Sequence, residues 1–417
     1  MASSRRMVFQ RLDVAAFLSF FTYAAGSVVV PVALVALAAD LGFPLDSGGM
    51  TAGGVLHLGR TLTMVGAMLF CGFAAGRWGQ RRTFGWSVLL MALGLGLAAL
   101  TPTYGVLLAA ILLAGVGEGV VEGLATPFVQ SLHAVEPGRY INIAHSFWSV
   151  GVFVTVLLSG ALLSLGVSWR WLLAGIALLG IVPGALLLWP ARGGALAAGS
   201  PPAVSWRRVV RQSVEILRLP RFWLFFTAMF LAGGGEFCLT FWSASYIQLY
   251  LNPAPWAGGV GTACVAAGMA LGRSGWGYLI RQHHLHRLIL GSALAGVAVT
   301  LCLPAVRTLG LFLVLLFLAG LATAPFWPSV QSRCADRLPQ VDTTMLFILL
   351  SCAGVPGCGV LTWLMGVLGD GPVGLGRAFY LVPACYLILA GVIAWEGLLK
   401  ATPRTPPAAA APGGDGH

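Results

Sequence analysis

The chain has 417 residues, of which 58% are apolar and only 9% are charged, whereas ordinary soluble domains carry roughly 25% charged residues. This composition excludes a soluble globular protein and predicts a lipid bilayer as the surrounding medium. The net charge of +11 comes almost entirely from arginines that form no basic, aromatic-rich patch, so we expect no nucleic-acid partner. The eight cysteines are scattered, and we expect neither disulfides, a metal site nor a cofactor.

Twelve apolar stretches are long enough to cross a membrane as helices. In chain order they are 14–39, 54–75, 84–101, 104–130, 142–166, 170–189, 222–249, 257–280, 288–304, 309–331, 344–368 and 378–399. Alternation of polar and apolar residues in strand-length segments is not evident. The sequence therefore predicts an all-α membrane protein with twelve transmembrane helices.

The basic residues orient these spans. With the N-terminus placed in the cytoplasm, 20 of the 24 lysines and arginines fall in cytoplasmic segments. The exceptions are Arg60, Arg170, Arg307 and Arg377. The positive-inside rule then predicts a multi-pass protein of the cell (inner) membrane with both termini cytoplasmic.

A polar stretch and an internal repeat divide the chain into two halves. Residues 190–221 contain two consecutive prolines and six arginines and are predicted to be a cytoplasmic linker between six-helix bundles at 1–189 and 222–400. The tail, 401–417, is expected to be disordered. The segment A-T-P-F-V-Q-S at 125–131 recurs as A-T-A-P-F-W-P-S-V-Q-S at 322–332. A six-plus-six repeat is typical of transporters whose two bundles rock about a central site.

The loop after the second span reads G-F-A-A-G-R-W-G-Q-R-R, residues 72–82. It resembles the major facilitator superfamily loop G-x-x-x-D-R-x-G-R-R, with matches at Gly72, Arg77, Gly79, Arg81 and Arg82. The resemblance implies a tight turn whose arginines contact helix C-termini and acidic partners at a gate. Gly76 replaces the family's Asp and Gln80 its Arg, so simple anchoring of the positive side is an equal alternative.

Residues 122–151 resemble the fucose permease family of proton symporters within that superfamily. The matching positions are Glu122, Pro127, Phe128, Val129, Asn142, Ala144, Phe147, Ser149 and Gly151, and Gly272 and Arg273 also match. The resemblance implies two pseudo-symmetric six-helix bundles, alternating access, no enzymatic activity, and a gating role for Arg273. We also expect a monomer.

Three positions depart from that family. His145 and Trp148 stand where the family carries sugar-binding Gln and Asn, and Ser27 stands where it carries an essential carboxylate four residues before a proline. Fucose itself is therefore not predicted as the solute, and the proton-coupling groups must differ.

Three acidic residues lie inside predicted spans, where a charge is costly and marks function or pairing. Glu118 and Glu122 share one helical face, and one of them is expected to carry a proton. Glu236 follows three glycines that weaken its helix near a binding site. All three are predicted proton-coupling groups; the alternative is hydrogen bonding to neighbouring helices or to Arg60.

Further side chains in the spans are candidates for contacts with the solute. Aromatic stacking is predicted for Trp148, Phe237, Trp242, Tyr246 and Trp327, and polar contacts for Asn142, His145 and Gln130. Packing within the bundles is the alternative for each. Arg60 and His57 are expected near the outer mouth, with the arginine snorkelling to the surface.

The leading hypothesis is a proton-coupled transporter for a small polar solute, a sugar or a related metabolite. Proton-driven export of an amphipathic compound uses the same parts and remains an alternative. A membrane-embedded lipid enzyme or a lipid scramblase is a less favoured alternative, because no nucleophile or metal motif is evident.

Overall fold

A computed structural model describes residues 8–133, 137–190, 206–279 and 282–399, and these are predominantly helical. In chain order the helices are α1 Arg11–Asp40, α2 Met50–Trp78, α3 Gln80–Ala99, α4 Tyr104–Leu132, α5 Pro137–Ser164, α6 Trp169–Leu188, α7 Trp206–Leu217, α8 Pro220–Tyr250, α9 Pro255–Leu279, α10 Leu285–Cys302, α11 Leu309–Thr323, α12 Phe326–Arg337, α13 Thr343–Asp370, α14 Gly374–Ala378 and α15 Leu381–Leu398. The predicted tail, 401–417, lies outside the described residues.

Eleven helical segments of the described chain are long and apolar enough to cross a membrane. They correspond to eleven of the predicted spans, with α11 and α12 forming one segment and α14 and α15 another. The remaining predicted span, 257–280, falls on α9, a 25-residue helix that is rich in glycine and contains Arg273. The chain is a multi-pass membrane protein.

The predicted tenth span is interrupted. Helix α11 ends at Thr323 and α12 begins at Phe326. Pro325 lies between them, and proline has no backbone N–H with which to continue the helical hydrogen bonding. The repeated segment that identified the two halves therefore contains a break in its second copy.

Helices α1 to α6 pack on one another, as do α8 to α15. In the first group, α3 contacts α4 and α6, α1 contacts α5 and α6, and α2 contacts α4. In the second group, α8 contacts α9, α13 and α15, while α9 contacts α11. Between the groups, α2 packs on α13, α5 on α9, and α1 on α8. We call these groups the N-terminal and C-terminal halves.

The two ends of the helical body differ in charge. The end at which α1 begins carries many arginines, and we call it the basic end; we call the other the distal end. Arginines of the basic end include Arg11, Arg77, Arg81, Arg82, Arg218, Arg221, Arg333 and Arg337. The distal end carries Asp40, Asp46 and Asp370 together with Arg170.

Residues 190–221 were predicted to be a linker, and the helix that the structure shows within them was not predicted. Helix α7 covers Trp206–Leu217 and ends shortly before α8 begins at Pro220. Its hydrophobic positions repeat with helical spacing over only three turns, which is too short a pattern to stand out in a polar stretch. Residues 191–205 of the predicted linker lie outside the described residues.

Candidate functional site

At the distal end, the two halves are joined by hydrogen bonds. The carboxylate of Asp370, the last residue of α13, accepts from the backbone N–H groups of Met50 and Thr51 at 2.9 and 2.7 Å. These are orphan donors in the first turn of α2, so Asp370 satisfies them and also complements the helix dipole. The Gln248 side-chain amide donates to the Val32 carbonyl at 3.3 Å, joining α8 to α1.

Close helix approach at glycines closes the same end. Gly160 of α5 lies against Gly259 of α9, and a Cβ on Gly259 would stand 2.5 Å from the Val156 carbonyl oxygen. The N–H of Trp256 also donates to Ser164 Oγ at 2.8 Å. Only glycine permits such contact between two backbones. The distal end is therefore tightly packed between the halves.

Below this closure, a cleft lies between the halves. Its walls come from α1 and α5 on one side and from α8 and α9 on the other. The lining residues are Val28, Trp148, Ser149, Val152, Glu236, Phe237, Thr240, Thr262, Ala266, Met269, Ala270 and Arg273. The structure thus brings together the predicted residues Trp148, Glu236, Phe237 and Arg273.

Glu236 and Arg273 form an ion pair in the wall of the cleft. The Nη2 atom of Arg273 lies 3.3 and 3.4 Å from the two Glu236 carboxylate oxygens. The Nε of Arg273 donates to the Ala324 carbonyl at 3.4 Å. Arg273 is partly exposed, whereas Glu236 is buried. Both residues line the cleft, with the arginine donor more accessible than the carboxylate beside it.

The N-terminal half contains a second buried pair, between Arg60 and Glu118. Arg60 donates to both carboxylate oxygens of Glu118 at 2.5 and 2.7 Å and to the Ser27 carbonyl at 3.2 Å. The expectation that Arg60 snorkels to the outer surface is therefore wrong. Pairing with a carboxylate offsets the desolvation of a guanidinium far better than a long reach to the surface from the eleventh residue of α2.

His57 lies one turn before Arg60, and it is also buried. Its ring stacks on Phe237 of α8 at 4.9 Å between centroids, with an interplanar angle of 16°, and it contacts Phe241 at 5.3 Å. His57 therefore joins α2 to α8 across the halves beside the cleft, rather than lying near an outer mouth. Phe237 is shared between this stack and the cleft wall.

Glu122 has a different environment from Glu118, although the two lie one turn apart on α4. The polar neighbour of Glu122 is the Tyr23 hydroxyl of α1, which interacts with the Glu122 carboxyl group. Trp327, another predicted solute contact, packs near Tyr23 with Met64, Met68 and Val355. Glu122 thus lies between the halves on the basic side of the cleft without lining it.

His145 lies toward the basic end of α5 and is exposed. Its Nε2 is 3.0 Å from the Thr126 hydroxyl of α4, and its ring is 4.8 Å from that of Phe20. Gln130 is exposed on α4. The side chain of Asn142 lies outside the described residues.

The structure does not bring Trp242 and Tyr246 into the cleft. Trp242 is fully buried and donates from its indole N–H to the Thr362 carbonyl of α13 at 2.9 Å. Tyr246 stacks on Phe312 and contacts Phe379. Both residues lie farther along α8 toward the distal end, where helices pack closely, so packing explains them. Thr240, Thr262 and Met269 line the cleft instead, and no motif or charge marks these uncharged residues in the sequence.

At the basic end, the predicted gating loop forms a tight turn. Gly79 has a φ of +84°, a conformation that favours glycine. Arg81 donates to the Trp189 carbonyl at the end of α6 at 3.3 Å, and Arg11 donates to the same oxygen at 3.1 Å. Arg81 thus contacts a helix C-terminus, as the loop motif implies. Arg77, Arg82 and Gly72 are exposed.

Ion pairs hold each half together at the basic end. Asp13 of α1 lies 2.6 Å from His133, which follows α4. In the other half, the buried carboxylate of Glu396 contacts Arg333 at 2.6 Å, Arg337 at 2.7 Å and Arg221 at 3.9 Å. Asp13, His133 and Glu396 lie at or near helix ends, where charges are common, so their pairing could not be predicted from the sequence. These pairs join helices of one half, whereas the bonds at Asp370 and Gln248 join the two halves at the distal end.

Comparison with known proteins supports the same architecture. The sequence profile of the Major Facilitator Superfamily matches residues 15–290. A protein of Haemophilus influenzae, named "Putative metabolite transport protein", is 31% identical over 163 residues. That alignment covers 37% of this chain and 36% of the relative, so the match spans about a third of the length of each.

Three solved structures share the fold over nearly their whole length. The nucleoside transporter NupG has a TM-score of 0.72 at 14% identity, covering 94% of this chain and 99% of that one. The Escherichia coli xylose transporter XylE, in a partially occluded inward-open conformation, has a TM-score of 0.69 at 12% identity, covering 95% and 99%. A variant of the Escherichia coli fucose:proton symporter FucP has a TM-score of 0.61 at 16% identity, covering 92% and 98%. The chain, with its all-α fold of membrane-spanning helices, belongs to the major facilitator superfamily.

Proposed function

We propose that this protein is a secondary transporter that moves a small polar solute, a sugar or a related metabolite, by alternating access. The observation that carries the proposal is the cleft between the halves, which combines an ion pair with two aromatic side chains. Arg273 and Glu236 offer a donor and an acceptor for hydroxyl groups, while Trp148 and Phe237 offer flat faces. Sugar rings are bound by this combination of hydrogen bonds and stacking. The named solutes of the similar structures, nucleosides, xylose and fucose, support a polar ring.

The position of the closed end supports an inward-facing state. We place the basic end on the cytoplasmic side of the cell (inner) membrane, because arginines concentrate at this end of the molecule. The halves are hydrogen-bonded at the distal end, which then faces outward. Alternation requires these contacts to break while the basic ends of the two halves approach each other.

Glu122 is the group that we propose to carry the coupled proton. Its polar neighbour, Tyr23, carries no positive charge, so Glu122 can gain or lose a proton without leaving a buried cation unpaired. Protonation of Glu118, in contrast, would break two bonds with Arg60 and leave that guanidinium without its counterion. Glu236 is also paired, with Arg273, although Arg273 can exchange its contact with Glu236 for a contact with the solute. Glu122 therefore fits the coupling role better than Glu118 or Glu236.

Proteoliposomes with an imposed pH gradient test this function. A thermal-shift screen of nucleosides and monosaccharides first identifies a solute that stabilises the purified protein. The wild type should then accumulate that solute uphill, whereas Glu122→Gln should lose uphill accumulation and retain exchange of labelled for unlabelled solute. Asp46→Asn, which removes an exposed carboxylate of the distal loop, is the matched control and should accumulate normally.

The outcomes separate the parts of the proposal. Uphill uptake that is unchanged in Glu122→Gln would contradict its coupling role. Solute movement that requires the opposite pH gradient would indicate antiport export. Wild-type liposomes that bind the solute but neither accumulate nor exchange it would contradict transport itself.

A further inference from the structure

Helix α7 has two chemically different sides. At 100° per residue, its apolar residues fall on one side and its charged residues on the other. The apolar side comprises Val209, Val210, Val214, Ile216 and Leu217, and the polar side comprises Arg207, Arg211, Gln212 and Glu215. A helix of this kind lies at a boundary between a polar and an apolar medium.

The body of the protein covers only one edge of the apolar side. Ile216 is fully buried, and Ser213 Oγ contacts the sulfur of Met345 in the first turn of α13 at 3.4 Å. Val210, Val214 and Leu217 are each more than a third exposed. They lie side by side on the helix, about 60° apart at most. An apolar stripe, about two turns long, is therefore left uncovered.

The position of α7 places this stripe at the membrane surface. The helix ends at Leu217, and α8 enters the membrane from Pro220. The indole N–H of Trp223, in the first turn of α8, donates to the Leu217 carbonyl at 2.9 Å, and the Trp223 ring is about half exposed. Tryptophan side chains are enriched where the hydrocarbon meets the headgroups. The bilayer that surrounds α8 and α13 is thus the medium adjacent to α7.

The polar side carries an excess of positive charge. Arg207 and Arg211 are exposed on α7, and Arg218 is exposed directly after it. The one acidic residue of the helix, Glu215, lies 3.8 Å from Arg211 and offsets a single charge. Arginines beside an uncovered apolar stripe match an anionic lipid surface, in which phosphates meet the guanidinium groups while apolar side chains enter the acyl boundary.

We propose that α7 docks on anionic phospholipid at the basic end of the molecule. Val210, Val214 and Leu217 enter the acyl boundary, and Arg207, Arg211 and Arg218 bind headgroup phosphates. Because α7 contacts both α8 and α13, and α13 packs against α2 of the other half, docking holds the C-terminal half at a fixed depth during rocking. This proposal concerns the membrane surface and does not depend on the solute or on proton coupling.

Hydrogen-exchange mass spectrometry of the whole protein in nanodiscs tests the proposal. We expect stronger amide protection of 206–217 in nanodiscs that contain phosphatidylglycerol than in nanodiscs of phosphatidylcholine alone. Each arginine near an anionic surface contributes about fivefold to lipid partitioning. The triple variant Arg207→Gln/Arg211→Gln/Arg218→Gln should therefore weaken the binding of α7 to anionic lipid roughly 100-fold. The difference in amide protection between the two kinds of nanodisc should then disappear. Glu215→Gln, which removes a repelled charge, should increase the protection.

The control removes exposed arginines from the same end of the other half. Arg77→Gln/Arg82→Gln should leave the lipid-dependent protection of 206–217 intact. Equal protection of α7 in both lipids, or equal loss in this control and in the triple variant, would overturn the proposal. Inorganic phosphate added to phosphatidylcholine nanodiscs separates the two sources of phosphate: protection by the free ion alone would also contradict docking on lipid.

Discussion

Arg60 and Glu118 form an ion pair with two hydrogen bonds inside the membrane-spanning body, at 2.5 and 2.7 Å, and their side chains are 5% and 0% exposed. A third bond from Arg60, to the Ser27 carbonyl, adds α1 to the pair between α2 and α4. Charged partners of this kind satisfy each other only while both are present. The pair therefore acts as a structural tie among three helices of the N-terminal half.

Replacing one partner of the Arg60–Glu118 pair should lower the stability of the protein much more than replacing both. We expect Glu118→Gln to lower stability by about 3–5 kcal/mol, because it leaves a buried guanidinium without a counterion. Arg60→Met/Glu118→Leu replaces both charges with side chains of similar volume and should be closer to wild type. Thermal unfolding of the purified proteins in one detergent measures the loss of stability in each variant. If the double variant loses as much stability as Arg60→Met and Glu118→Leu lose together when made singly, the side chains are not coupled.

How much of this arrangement could be read from the sequence depends on the kind of signal. Membrane spans follow from long apolar runs, and α4 was predicted almost to its ends, at 104–130 against Tyr104–Leu132. The break between α11 and α12 was missed, because a proline in an apolar run does not reveal whether its helix bends or stops.

The candidate site divides in the same way. Glu236 was selected because acidic residues within spans are rare, and Arg273 because of the resemblance to the fucose permease family, but their contact required the relative placement of α8 and α9. Arg60 was assigned to the surface, and its pairing with Glu118, which the structure shows, was only the alternative, since sequence alone could not decide between the two. Trp242 and Tyr246 were chosen as aromatic residues within a predicted span. Neither lines the cleft, because an aromatic residue is equally suited to packing and to stacking on a solute.

The ion pair in the cleft should control solute affinity. We expect Arg273→Gln to weaken binding of the solute found by the thermal-shift screen by about 10- to 100-fold, because hydrogen bonds to charged groups contribute about 1.5–3 kcal/mol. Glu236→Gln should have a similar effect, and the double variant should be no weaker than the worse single variant. Solute-dependent shifts in melting temperature measure the affinities.

Thr240→Val provides the matched control for this cleft. Thr240 lines the same wall, but its hydroxyl already donates to the Glu236 carbonyl within α8 at 2.9 Å. Its loss should change affinity less than threefold. Wild-type affinity in Arg273→Gln would show that the solute binds elsewhere.

Asp370 should hold the distal end closed. Its carboxylate accepts from Met50 and Thr51 at the start of α2, and substitution of such a capping group costs about 1 kcal/mol. We expect Asp370→Ala to raise the ratio of distally open to closed molecules about fivefold. Spin labels on Ser47→Cys and Val373→Cys, which are exposed at this end in different halves, report the separation by pulsed electron resonance.

The labelling background for that measurement is Cys302→Ser, because Cys302 is exposed and the other seven cysteines are wholly or partly buried. Asp46→Asn serves as the control, since it removes another distal carboxylate whose described hydrogen bond comes from the neighbouring Ser47. An unchanged distance distribution in Asp370→Ala would show that the bonds to α2 do not contribute to closure.

The glycine contact between α5 and α9 should also hold the distal end closed, through close packing rather than through charge. A Cβ on Gly259 would stand 2.5 Å from the Val156 carbonyl oxygen and 3.1 Å from the Gly160 Cα. Both are backbone atoms, so Gly259→Ala can be accommodated only if the two helices separate, at a cost of about 1–3 kcal/mol to the closed state. The same spin-label pair should then show a larger open population. Gly291→Ala on α10, which has open space at its Cβ position, should leave the distances unchanged, and equal behaviour of the two variants would refute a steric gate at Gly259.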